Sequence, residues 1–125
     1  MFLIFALLGL GLEALHGFKV GWYLDVGNET RRLMMVLAHE HGTLLALVNI
    51  AFGLSIGHFG RWSNERLELA SRALRIASIL LPGGFFLGGL YIYDGDPGLG
   101  IVLSPFGALA FVVALAVTIQ GVRAK

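Results

Sequence analysis

Apolar residues fall into four blocks along this 125-residue chain, with polar residues gathered in the gaps between them. Each block approaches the roughly 20 residues needed to cross about 30 Å of hydrocarbon. The pattern predicts an all-α bundle of four transmembrane helices over residues 2–24, 31–58, 73–93 and 100–122, a single integral membrane domain covering residues 1–125. The first block has no basic start and no small-x-small cleavage site, and runs straight into Glu13-Ala-Leu-His16. It therefore reads as a retained span and not as a signal peptide. Trp22-Tyr23 closes it at the interface. The turn Asp25-Val-Gly-Asn-Glu-Thr30 leads into the second span, with Asn28 or Thr30 as N-cap. Glu65, Arg66, Glu68 and Arg72 read as a solvated helical extension of the third span. Asp94-Gly-Asp-Pro-Gly98 reads as a tight turn, its aspartates serving the turn and not a calcium ion.

Basic residues set the expected orientation. The connection over residues 60–75 holds Arg61, Arg66, Arg72 and Arg75, and the C-terminal end adds Arg123 and Lys125. The other side has Lys19, Arg31 and Arg32, so six against three places both termini in the cytoplasm. With that orientation, seven polar side chains converge on the outer half of the bilayer: Glu13, His16, His39, Glu40, His41, Tyr91 and Ser104. A polar group in hydrocarbon costs kilocalories unless it is paired or wet, so such a layer marks function. Glu13 and His16 must then contact each other, the His39-Glu-His41 cluster, or water from outside.

Three small-x-x-x-small pairs, Gly17/Gly21, Gly53/Gly57 and Gly84/Gly88, predict close helix approach. Leu81-Pro-Gly-Gly84 predicts a kink in the third span, either as simple packing or as room for a flat ligand.

Composition narrows the chemistry. Hydrophobic residues make up 57% of the chain and charged ones 14%, far from a soluble domain. A net charge of +1 offers no basis for a nucleic-acid partner; membrane lipids are the expected surroundings, those of a bacterial inner membrane. With no cysteine, disulfides, thiolate ligands and covalently attached haem are excluded. Any metal or haem must be held by His, carboxylate, Tyr or Met.

Helix geometry separates the second-span histidines. At about 100° per residue, His39 and His41 point about 200° apart and cannot chelate one ion. Beside His39 run Gly42, Thr43, Ala46, Gly53 and Gly57, a narrow stripe that points to the bundle interior. Beside His41 run Met34, Leu37, Leu44, Leu45, Val48 and Phe52, a bulky face expected to meet lipid, a partner protomer or a macrocycle edge. Glu13-x-x-His16 puts carboxylate and imidazole on one face, the unit of carboxylate-bridged metal bundles. It serves equally as a buried ion pair or as a Glu orienting a haem-ligating His. His58, beside Phe59-Gly-Arg-Trp62, reads as interfacial.

Ala38-His-Glu-His-Gly42 ahead of an apolar helix resembles haem-binding membrane helices, including the His-x-His pair of the haem–copper oxidase superfamily. In size and layout the chain resembles the styrene oxide isomerase family, small four-helix membrane proteins holding haem b through a second-helix histidine. Residues 31–52 resemble its ligand helix, 71–93 its third helix and 95–121 its fourth. The resemblance implies His39 or His41 as haem ligand and Tyr91 as the family's third-helix tyrosine. The family's third-helix Asp and Asn have no counterpart, since 82–87 holds no polar side chain.

Three readings follow. The first is a haem b membrane protein with His39 or His41 as axial ligand, His16 nearby, and Glu13 and Tyr91 as candidate catalytic groups for redox or isomerase-like chemistry on a small apolar substrate. The second is a divalent metal ion held by Glu13, His16 and one of His39 and His41. The third is a structural or accessory subunit with no cofactor. A haem would strain so small an interior, so a homo-oligomer joined through the His41 face is expected.

Overall fold

The computed structural model describes residues 1–58 and 62–123. Arg61 and Lys125, which enter the orientation count, lie outside the described residues, as do Phe59 and Gly60 of the interfacial segment. Of the described residues, 78% are helical. Four helices, α1 (Phe2–Gly17), α2 (Thr30–Ser55), α3 (Asn64–Leu90) and α4 (Leu103–Arg123), follow one another, with a short 3-10 turn, Leu99–Val102, leading into α4. The helices at Thr30–Ser55, Asn64–Leu90 and Leu99–Arg123 are long and apolar enough to cross a membrane.

The first helix departs from expectation. α1 has 16 residues and stops at Gly17, not at Leu24, and at 1.5 Å per residue it measures about 24 Å. Lys19 then adopts a positive φ of 53°, which ends the helix, and the backbone turns through residues 18–29. Trp22 stays exposed while Tyr23 folds inward to 3% exposure. The N-cap of α2 is Glu29, and not Asn28 or Thr30, although the Asn28 side chain accepts from the Thr30 amide. The solvated extension before the third span is present, since α3 begins at Asn64 behind a Ser63 side-chain cap. Between α3 and α4, Ile92–Tyr93 and Asp96–Pro97 pair antiparallel. Asp94 and Gly95 both have positive φ, the demand of a two-residue hairpin turn.

Packing is tightest between α3 and α4, where small residues let the backbones meet. A Cβ at Gly84 would overlap Ser104, one at Gly107 would overlap the Leu81 backbone, and Gly88 faces Ile101. α3 stays helical through Pro82, which is buried among these contacts. Of the three expected glycine pairs only Gly84/Gly88 is used this way; Gly17, Gly21, Gly53 and Gly57 face open space.

α2 packs on α3 with the face that carries His41. Met34 and Leu45 are buried there, Val48 and Phe52 join the cluster of Leu45, Leu74 and Ala114, and the His41 ring lies 4.9 Å from Phe85. The expectation that this face meets lipid or a partner protomer is corrected for Met34, Leu45, Val48 and Phe52, which fill the wider gap to α3, while Leu44 stays exposed. The narrow stripe meets α1 instead, with Gly42 against the Phe5 ring.

Deeper between α2 and α3, Ser78 is fully buried, and Asn49 Nδ2 donates to Ser78 Oγ at 2.8 Å and to the Leu45 carbonyl at 2.8 Å. Ser78 Oγ donates onward to the Leu74 carbonyl at 2.8 Å. Near the other end, Arg31 donates to the carbonyls of Gly89 and Trp22 and sits 4.6 Å from the Trp22 ring centroid. Each link satisfies a polar group that hydrocarbon would leave bare.

Ser78→Ala should lower stability by about 0.6–2 kcal/mol, because it strips one acceptor from Asn49 within an apolar interior. Asn49→Leu combined with Ser78→Ala should cost less than the sum of the two single changes. Thermal unfolding in detergent across the four variants measures the coupling, and strict additivity would contradict a working Asn49–Ser78 pair.

Candidate functional site

The polar layer divides between the two faces of α2. Glu13, His16 and His39 line one cavity of about 610 Å³ between α1, the residue 18–29 connection and α2. Its apolar wall comes from Gly9, Leu12, Leu33 and Val36, and its polar rim adds Tyr23, Glu29, Thr30 and Arg32. That volume lies inside the roughly 300–1,000 Å³ range of small-molecule and cofactor pockets. The cleft opens beside the contacts of α1 with α2, where Gly9 lies under His39, Gly42 under Phe5, and Leu12 packs in one cluster with Tyr23 and Met35.

His39 is fixed at the inner end of this cleft. Its Nδ1 lies 2.8 Å from the Phe5 carbonyl oxygen. A carbonyl can only accept, so Nδ1–H donates and Nε2 carries the free lone pair. The ring rests on Gly9, where a Cβ would stand 2.6 Å from Nδ1 and 2.8 Å from Nε2. A backbone carbonyl holding one imidazole nitrogen is the usual support of a histidine that ligates through the other. His41 likewise donates from Nδ1, to the Leu37 carbonyl at 2.9 Å, but its ring packs against Phe85 on the opposite side of α2.

The remaining members of the layer lie elsewhere. Glu40 is exposed on α2, Tyr91 is 67% exposed at the end of α3, and Ser104 is buried between α3 and α4, its hydroxyl donating to the Leu81 carbonyl at 3.2 Å. Glu13 and His16 are exposed to the cleft and make no ion pair with each other among the described residues. Of the three contacts expected for them, access to water or a ligand is the one the geometry leaves. Among the described residues, no three His, Asp or Glu side chains converge closely enough to hold a metal ion.

No known protein family, characterised protein or solved structure matches this chain. The site must therefore be read from its own residues.

Electrostatics distinguishes the cleft's two ends. Arg32 pairs with Glu29 at 2.8 Å, a partly exposed pair of small energetic value that nonetheless cancels both charges locally. Glu13 remains as the uncompensated charge of the cleft. Burial pushes the Tyr23 phenol above its ordinary range, with Arg32 pulling it down and Glu13 pushing it up. Tyr23 thus stays a neutral donor at the cleft rim.

Sequence reading missed Tyr23, Glu29 and Arg32 as cleft residues, because it carried the first span through Tyr23 to Leu24. A positively charged pair at the head of the second span, Arg31-Arg32, was the available signal: two adjacent basic residues on one helix cannot face the same way. Arg31 turns to the Gly89 carbonyl and Arg32 to the cleft.

Gly9→Ala should displace the His39 ring and break its bond to Phe5, lowering stability by about 1–3 kcal/mol. Gly11→Ala, two residues on and facing open space, should raise it by about 0.5–1 kcal/mol through backbone entropy. Paired thermal melts check the contrast; equal effects would show that His39 is not seated on Gly9.

Proposed function

We propose that the α1–α2 cleft is the cofactor site of an integral membrane protein and that it holds haem b through His39 Nε2. One observation carries this reading: His39 is the single α2 histidine that lines the cleft, and its Nδ1–H is already committed to the Phe5 carbonyl. The fit extends to shape and charge. Apolar Leu12, Leu33 and Val36 offer flat faces for a macrocycle, and Gly9 spares the space beneath the ligand ring. A ferric porphyrin core carries net positive charge, and Glu13, one turn along from Gly9, supplies the opposite sign. When bound, haem brings redox or Lewis-acid chemistry, while the chain brings orientation, a dry wall and hydrogen bonds. Glu13 and His16 then act as positioning and proton-holding groups at the wetter end, and a small apolar substrate would share the cleft. Tyr91, at the end of α3 and exposed, is a less fitting participant than the resemblance to styrene oxide isomerases implies.

The excess of basic residues around 60–75 and at the C-terminal end supports cytoplasmic termini in a bacterial inner membrane. The second reading is a divalent ion on Glu13, His16 and His39, which one observation favours: the cleft gathers all three and leaves the Glu13 charge uncompensated. It requires His16 and Glu13 to swing inward, since no three-ligand group is gathered among the described residues.

Protein purified from haem-replete cells should show a Soret band. His39→Ala should abolish it, His41→Ala should preserve it, and Glu13→Gln should shift or weaken it. A colourless preparation that fails to take up added haemin sinks the haem reading; stoichiometric metal in that preparation would then support the ion, and its absence a cofactor-free accessory subunit.

A further inference from the structure

The outward face of α2 is patterned differently from every lipid-suited surface in the protein. α4 exposes Phe106, Leu109, Val112 and Leu115, with no charged residue before Arg123. α2 exposes Glu40, ten residues into a 26-residue helix and thus about 15 Å from its start. Glu40 has no cation or hydrogen-bond donor among the described residues. An intramembrane carboxylate facing lipid costs on the order of 2.5–3.5 kcal/mol even on the mildest scales, so such groups face protein or water.

The residues around Glu40 follow a heptad. Leu33, Glu40, Leu47 and Leu54 recur every seven positions, and all are exposed. Val36, Thr43 and Ile50 recur at the same interval, three positions later. This three-four alternation is the seam of a two-stranded coiled coil, in which a single polar residue at one core position fixes partner and register. Thr43 supplies a second, independent sign. Its hydroxyl is buried and has no hydrogen-bond partner, and it stands one turn from Glu40 on the same seam. Glu40 thus stands open on the strip, and the Thr43 hydroxyl lies covered by the chain at its edge, each unused within the chain.

We propose that α2 pairs with α2 of a second copy along this seam, parallel and about a two-fold axis, so that each Glu40 carboxylate accepts from the Thr43 hydroxyl of the other copy. The Thr43 side chain turns about χ1 to reach across. An isologous contact makes the exchange twice, once in each direction. Leu33 and Val36 belong both to the seam and to the cleft wall, so the second copy closes the cleft's open side. The dimer stands on the α2 pattern alone and holds whichever ligand the cleft takes.

The chain has no cysteine, so a single introduced thiol reports one position. In native membranes under mild oxidation, Leu47→Cys and Leu54→Cys should each give a disulfide-linked dimer. Leu44→Cys, exposed but off the seam, and Leu109→Cys on α4 should give little. No seam-specific cross-link means that lipid covers this face, and the proposal fails. On the Leu47→Cys background, Glu40→Ala and Thr43→Val should each weaken dimerisation about fivefold or more, the worth of one interhelical hydrogen bond in lipid. Glu40→Gln, still able to hydrogen-bond, should retain the dimer and shows that loss in the alanine variant is not misfolding. Cross-linking indifferent to Glu40→Ala overturns the polar centre.

Discussion

Hydrocarbon offers no hydrogen-bond partner, and this one constraint arranges the polar groups of the protein. Where the chain can satisfy a group internally, it does so at short range. Asn49 and Ser78 tie α2 to α3 and pass their bonds to the Leu45 and Leu74 carbonyls. Ser104 closes on Leu81 across α3 and α4, and Thr118 folds back on the Ala114 carbonyl of its own helix. Arg31 spends its guanidinium on two loop-end carbonyls and the Trp22 face. What remains after this sorting is small: Glu13 and His16 in the cleft, Glu40 on the outer face of α2, and the Thr43 hydroxyl. Those leftovers define where the protein needs something other than itself.

The bundle is correspondingly uneven. α2, α3 and α4 form a closely packed unit, whereas α1 packs more lightly against α2, with Phe5 on Gly42, Gly9 under His39 and Leu12 in one cluster with Met35. The hydrophobic cluster of Leu12, Tyr23 and Met35 adds Phe86 and Leu90 of α3 at the loop end. A helix held this way leaves a cleft along its length without costing the remainder of the fold. It also explains the division of labour between the histidines. His41 is enclosed by the tight unit, and His39 borders the loose one.

Much of this was legible in the sequence. Hydropathy blocks located the three long helices, α3 starting at Asn64 through the solvated extension read ahead of its apolar block, and the Asp94-Gly95 pair announced its turn. The 200° separation of His39 and His41 correctly put them on opposite sides of α2. Helix phase alone does not say which neighbour lies on which side, however, and the bulky face turned out to serve α3. Composition could not show that α1 would end at Gly17, because Phe18, Val20, Trp22 and Leu24 continue the apolar run while Lys19 breaks the helix by its backbone angle. The Asn49–Ser78 pair was not legible, because it needs one known contact as anchor: from His41 facing Phe85, eight residues forward along α2 reaches Asn49 and seven back along α3 reaches Ser78, as antiparallel helices require.

The cleft and the heptad seam share α2, and this links binding to assembly. Leu33 and Val36 would meet ligand on one flank and a second copy on the other, with His39 and Glu40 adjacent in sequence but turned about 100° apart. A ligand that draws α1 toward α2 through His39 tightens the wall on which the partner packs. A partner that covers Leu33 and Val36 excludes water from the cleft and lowers its local dielectric, which strengthens the interactions of Glu13 with whatever positive charge the cleft admits. Binding and pairing must then favour one another by the same free energy in each direction. The short α1 is the element that would carry this coupling, because it packs on α2 more lightly than α3 packs on α4.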